Sequence, residues 1–222
     1  MLRVFFLFSL FLLVSCQPKS ECETQGTNCP AETEDTIDPP APTPDPLPED
    51  EVSNDALIFD ATVKFRNFER DDEEKVHKAL EIIKKVVASK EFRNRVLGFT
   101  YQGKKAFVDN QGLTNGQIYQ MVLNASEELQ PSVDHQMDLD LELYTSRDNV
   151  VGYTYPNVMR IYMNTKYFNA YTPVEVAGNI FHEWTHKIGF DHAFEYSVKR
   201  DSSVPYALGY LMEELGERYL DE

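Results

Sequence analysis

Three of the chain's five histidines fall within one short stretch, His182-Glu183-Trp184-Thr185-His186-Lys187-Ile188-Gly189-Phe190-Asp191-His192. At 3.6 residues per turn, a spacing of four sets His182 and His186 one above the other on one side of a helix. Neutral imidazole nitrogens are zinc ligands, and a pair at this spacing can share one tetrahedral ion. Glu183, next to the first histidine, can reach a water on such an ion without ligating it. Gly189 can adopt a positive φ, end the helix and turn the chain back, which brings His192 to a third ligand position. Three protein ligands leave the fourth position to water, as in a catalytic rather than a structural zinc site.

These side chains need a helix that starts and stops cleanly. Thr172-Pro173-Val174-Glu175 supplies the start: an N-cap, proline at the first helical position and a capping-box glutamate. Gly189 supplies the stop. Val176, Ile180, Trp184 and Ile188 recur on the side away from the histidines and predict the core-facing stripe, with Trp184 as plain core. Upstream, 57–65 reads as a first strand. Asp71 opens an amphipathic helix with Val76, Leu80, Ile83 and Val87 inward, His77 on the surface and Lys84 and Lys85 solvated. Phe92, Val96 and Leu97 predict a short helix, and 99–109 a hairpin around Gln102-Gly103. Thr114 to Gln117 is a capping-box start for a helix burying Ile118, Met121 and Val122. From Met137 to Tyr144 apolar and acidic residues alternate, which predicts a half-buried strand. Asp138, Asp140 and Glu142 then need no calcium ion to explain them. His135 lies in the loop before it and has no assigned role. A strand pair follows over 150–163, and the last helix spans 206–219 with Leu208, Leu211 and Leu215 inward.

The pattern H-E-x-x-H-x-x-G-x-x-H, filled at every specified position, resembles the zinc signature of the metzincin metallopeptidases. That resemblance implies an α+β, zincin-like domain: a mixed twisted sheet, an active-site helix carrying H-E-x-x-H, and a C-terminal helix. It implies Zn²⁺ held by His182, His186 and His192. Peptide bonds of a peptide or protein substrate would be hydrolysed by zinc-activated water, with Glu183 as general base. It also implies a strand along the upper rim of the cleft that pairs with substrate backbone, at Gly152 and Tyr153 through Tyr155 or at Ile161 through Asn164. Metzincins carry a methionine-containing turn beneath the metal. Here Ser203 and Tyr206 resemble that turn, but Val204 and Pro205 stand where methionine is expected and Met212 falls in the last helix. Tyr206 is the candidate phenol for stabilising an oxyanion or resting on the metal. A gluzincin-like ligand set, with Glu213 or Glu214 as third ligand in place of His192, remains an alternative. Two other functions stay open: a zinc hydrolase of cell-wall peptides, and a non-catalytic zinc-binding envelope lipoprotein.

The N-terminal part reads as an address and a tether. Arg3 precedes an apolar run ending Leu13-Val14-Ser15-Cys16, which resembles the lipobox of bacterial lipoproteins. The resemblance implies a signal peptide over 1–15, a lipidated Cys16 and a membrane anchor. Gln17, in place of Asp, points to the outer membrane of a Gram-negative cell. Residues 16–55 hold eight of the twelve prolines and eleven acids against one lysine, a composition that forms no core and predicts an extended tether. Cys22 and Cys29 can pair in an oxidising compartment or stand as free thiols. Residues 56–222 are then the metallopeptidase domain, expected to be monomeric and free of disulfides. The net charge of −16 argues against a nucleic-acid partner.

Overall fold

A computed structural model describes residues 59–220. The expected signal peptide, Cys16, the tether and the Cys22–Cys29 pairing lie outside them. The described chain is a mixed α+β fold around one four-stranded sheet. Strand β1 (Asp60–Arg66) pairs in parallel with β2 (Gln136–Tyr144), and β2 in parallel with β4 (Arg160–Asn164). The short β3 (Gly152–Thr154) closes the edge antiparallel to β4, giving the order β1-β2-β4-β3.

Three helices connect β1 to β2. Helix α1 (Arg70–Val87) starts at a Glu69–Asp72 capping box and buries Val76, Leu80, Ile83 and Val87, the stripe its periodicity predicts. Helix α2 (Lys90–Leu97) is capped by Ser89, and α3 (Asn115–Asn124) by the Thr114–Gln117 box. After β4 come α4 (Thr165–Ala170), α5 (Pro173–Lys187), α6 (Val198–Asp201) and α7 (Val204–Gly216), then a 3-10 turn at Glu217–Tyr219. The last helix therefore begins two residues earlier than expected and tightens at its end. No helix among the described residues is long and apolar enough to cross a membrane.

The alternation along β2 separates its two faces. Met137, Leu139, Leu141 and Leu143 join the core shared with α1, α5 and α7. On the other face Asp140 lies between Arg66 at 3.0 Å and Arg160 at 3.3 Å, and Glu142 pairs with Arg160 at 3.0 Å. Asp138 accepts from the Thr62 hydroxyl across the strand pair. Cross-strand partners thus occupy the alternating acids.

The expected hairpin over 99–109 does not form as a strand pair. Gln102 and Gly103 do make a tight turn, with φ of 49° and 76°, but only Tyr101 and Lys104 bridge across it. The two flanks do meet, Phe99 stacking on Phe107 at 4.1 Å, but Val108 bridges to Ser203 and not to the opposite flank. His77 is exposed, edge-on to Phe65, and the His135 ring is bonded to the Leu123 carbonyl at 2.7 Å. Neither belongs to the histidine cluster.

Candidate metal centre

Helix α5 is fixed at both ends and beneath. The Thr172 hydroxyl accepts from the Glu175 amide and the Glu175 carboxylate accepts from the Thr172 amide, with Pro173 in the first turn. Val176, Ile180, Trp184 and Ile188 are buried, as their spacing predicts. Trp184 is more than packing, however. Its indole N–H donates to Glu127 Oε1 at 2.7 Å, and the same oxygen accepts from the Asp138 amide at 3.0 Å, which joins α5 to β2. At the far end Lys187 is buried and donates to the carbonyls of Tyr155 at 2.8 Å and Val158 at 2.6 Å. The turn between β3 and β4 is thereby fastened to the helix that carries the histidines.

Gly189 has φ of +102°, a region L side chains rarely adopt, and a Cβ there would also sit 2.9 Å from Glu128 Oε1. The reversal it permits brings the three imidazoles together. Ring centroids are 5.3 Å apart for His182 and His186, 5.2 Å for His182 and His192, and 4.9 Å for His186 and His192. One potential ligand atom from each lies within 4.8 Å of the others. An ion about 2.1 Å from each nitrogen, at tetrahedral angles, would set the ring centres roughly 5 Å apart.

The proton positions fit the same ion. His186 Nδ1 is 2.6 Å from the Phe190 carbonyl and His192 Nδ1 is 3.0 Å from the Ala193 carbonyl; the His182 ring bonds to the Pro205 carbonyl. A carbonyl only accepts, so for His186 and His192 the proton sits on Nδ1 and the Nε2 lone pair is left for a metal. Burial, then the neighbouring imidazoles, hold His182 well below the ordinary histidine range. Burial and His192 bring His186 down to about 4. Both rings are therefore neutral at neutral pH, the form that ligates.

Glu183, buried one residue from the first ligand, has its carboxyl pushed up to about 8 by burial, against the attraction of Lys187. Burial likewise lowers Lys187 to about 8. Tyr206, in the first turn of α7, stands 4.4 Å from the His182 ring and 4.6 Å from that of His192. Burial raises its hydroxyl above the usual tyrosine range, so the phenol keeps its proton. The Arg200 guanidinium lies 4.2 Å from the Tyr206 ring and 3.9 Å from that of Tyr196, and it pairs with Asp201 at 2.8 Å.

The histidines and Glu183 open onto a cleft of about 1120 Å³. This exceeds the roughly 300–1,000 Å³ that suits drug-sized molecules and leaves room for a stretch of chain. Gly152, Tyr153, Thr154 and Tyr155 form one wall. Strand β3 pairs with β4 along one edge, and no strand among the described residues pairs with its other edge. The second stretch expected to bind backbone does not reach the cleft. Ile161 and Asn164 are fully buried on β4, whose two edges are already taken by β2 and β3. Asn164 instead donates from its amide to Val151 and from its side chain to Val150, which shapes the segment leading into β3.

The alternative third ligands are also placed. Glu214 points away and makes a two-pronged pair with Arg95 at 2.8 and 2.7 Å. Glu213 lines the cleft, but the metal-competent group among the described residues is His182, His186 and His192 alone. Val204 and Pro205, which stand where methionine is expected, are the first residues of α7, and Met212 is buried further along the helix. Two residues that shape the site, Glu127 and Lys187, carry no signal in their local sequence, since their partners are far away in the chain.

Compared with known proteins, no family model matches this chain and no curated protein matches it. The three-histidine cluster itself is compatible with an H-E-x-x-H type metal site.

Proposed function

We propose that the chain is a zinc-dependent metallopeptidase of zincin-like fold, tethered at a bacterial cell envelope through Cys16. One observation carries the reading: three imidazoles, those of His186 and His192 with Nδ1 on a backbone carbonyl, converge beside Glu183 in a cleft walled by an open strand edge. A bound Zn²⁺ would supply a Lewis acid for the scissile carbonyl and lower the pKa of water toward about 7.

The rest of the chemistry belongs to the chain. The β3 edge lays the substrate backbone along the cleft by strand addition. Glu183 takes a proton from the attacking water and passes it to the departing amine. A nearby dication favours the carboxylate form this needs, against the effect of burial. The Tyr206 hydroxyl, protonated and beside the ligand rings, donates to the oxygen that becomes negative. The lipobox-like run ending at Cys16 and the proline-rich acidic stretch after it support the envelope tether.

Glu183→Gln provides the test. The variant should keep its zinc and lose roughly two or more orders of magnitude in chelator-reversible casein cleavage, the usual contribution of a general base. Unchanged cleavage would remove Glu183 from the scheme. A wild-type chain that binds no zinc would end the reading altogether.

A further inference from the structure

On the wall opposite β3, α7 presents Tyr206, Gly209, Tyr210 and Glu213 to the cleft, a face repeating at helical spacing. Glu213 stands two turns from Tyr206, about 10 Å along the axis. Its side chain lies directly over Gly178 of α5. A Cβ at position 178 would fall 2.3 Å from Glu213 Cγ and 2.5 Å from Oε1. The helix carrying the histidines thus has no side chain where this carboxylate rests, and the carboxylate occupies a seat of its own.

That carboxylate has no hydrogen bond or ion pair among the described residues. The titratable groups that act on it or feel its charge, Glu175, Glu217, Tyr171 and Tyr210, offer no cation. A half-buried carboxylate without a partner is unfavourable unless something supplies the opposite charge. The burial pushes it up to about 7. The cleft around it is acidic as well: Glu128, Asp148, Glu183, Asp191 and Glu213 line it against the single guanidinium of Arg200, which already holds Asp201.

We infer that Glu213 is a specificity-determining residue, which selects peptides carrying a lysine or arginine side chain within three residues of the bond to be cut. This rests on the peptidase reading above. An extended peptide advances about 3.3 Å per residue, so the separation from Tyr206 corresponds to about three positions. A long basic side chain can close the remaining gap, with its stem against Tyr210 and Tyr171 and its charge on the carboxylate.

The test uses the full-length chain with confirmed zinc content and a set of quenched fluorogenic peptides. These are identical except for one residue, set in turn to Lys, Arg, Gln, Leu or Glu at each of the three positions on either side of the bond. The wild type should favour Lys or Arg at one position by about tenfold or more in kcat/KM over Gln, the size of one charge-assisted hydrogen bond. Glu213→Gln should bring that ratio close to one, and Glu213→Lys should turn the preference toward Glu at the same position. Cleavage with no basic preference, or a preference that survives in Glu213→Gln, overturns the inference and leaves the peptidase intact. A zinc-loaded wild type that cuts no peptide of the set overturns the peptidase reading, and the inference falls with it.

Discussion

Helices α5 and α7 form two sides of the same cleft and run in opposite directions, Gly178 meeting Glu213 and His182 meeting Gly209. They contribute in different ways. On α5 the groups that would break a bond are spaced by the helix period itself, and caps at both ends keep that spacing fixed. On α7 the groups facing the cleft are one phenol, one further tyrosine and one unpaired carboxylate, and their placing depends on how closely two helices approach. Glycines set that approach: Gly209 lies against the backbone of α5, and Gly178 makes room for Glu213. The histidine geometry is thus written locally, while the placing of Glu213 depends on a contact between distant segments.

The comparison is sharpest at Tyr206, where α7 touches the ligand rings. If α7 shares in the chemistry, Tyr206→Phe should lower kcat on the order of 10²-fold, as loss of one oxyanion donor does, with zinc content unchanged. Steady-state kinetics beside metal analysis would show it. A rate within about threefold of wild type would take the Tyr206 hydroxyl out of the chemistry.

The same contrast explains what could be read beforehand. The histidine cluster, the Thr172 cap, the Gly189 turn and the alternation of β2 all depend on residues near in sequence, and all stand where their spacing puts them. The stretch Ile161–Asn164, which the resemblance offers as a substrate-pairing edge, lies away from the cleft because position in the chain does not show which neighbours flank a strand. The hairpin at 99–109 stops short because its turn residues take their positive φ and Phe99 meets Phe107, but Val108 pairs with the distant Ser203. Lys187 in a last helical turn reads as an ordinary surface cation. Only the return of the β3–β4 turn over the helix end buries it and gives its ammonium two carbonyls. Trp184 likewise reads as core until Glu127 arrives from 57 residues away.

A second substitution tests whether close helix contact is what sets the α7 face. A Cβ at Gly209 would come within 3.1 Å of His182 Cβ and 3.2 Å of the Gly178 carbonyl, neither of which can move without moving α5. Gly209→Ala should therefore destabilise the fold by about 1–3 kcal/mol, the usual cost of overpacking, and weaken zinc binding through His182. Urea unfolding and a zinc competition titration would measure both. Unchanged values in the two would mean that the helices part freely and that glycine at 209 is incidental.

The smallest effect expected has the opposite sign. Glu213 goes from an ordinary 4.5 to about 7 because burial, with Glu175 and Glu217 nearby, disfavours its charge. Below about pH 4.5 the carboxyl is protonated in both states and costs the fold nothing. As pH rises toward 7 the unfolded chain gives up this proton before the folded one does, so stability falls across that window and stays lowered above it. Glu213→Gln cannot ionise and escapes the loss. With solvent screening allowed for, the variant should be more stable than wild type by about 1 kcal/mol at pH 8, and nearly equal to it at pH 4. Urea midpoints at the two pH values decide this. Equal midpoints at pH 8 would mean the carboxylate rests there without strain and has no need of a cation. A gain confined to the higher pH would mark α7 as the side of the cleft where stability is given up for a charge that substrate must answer.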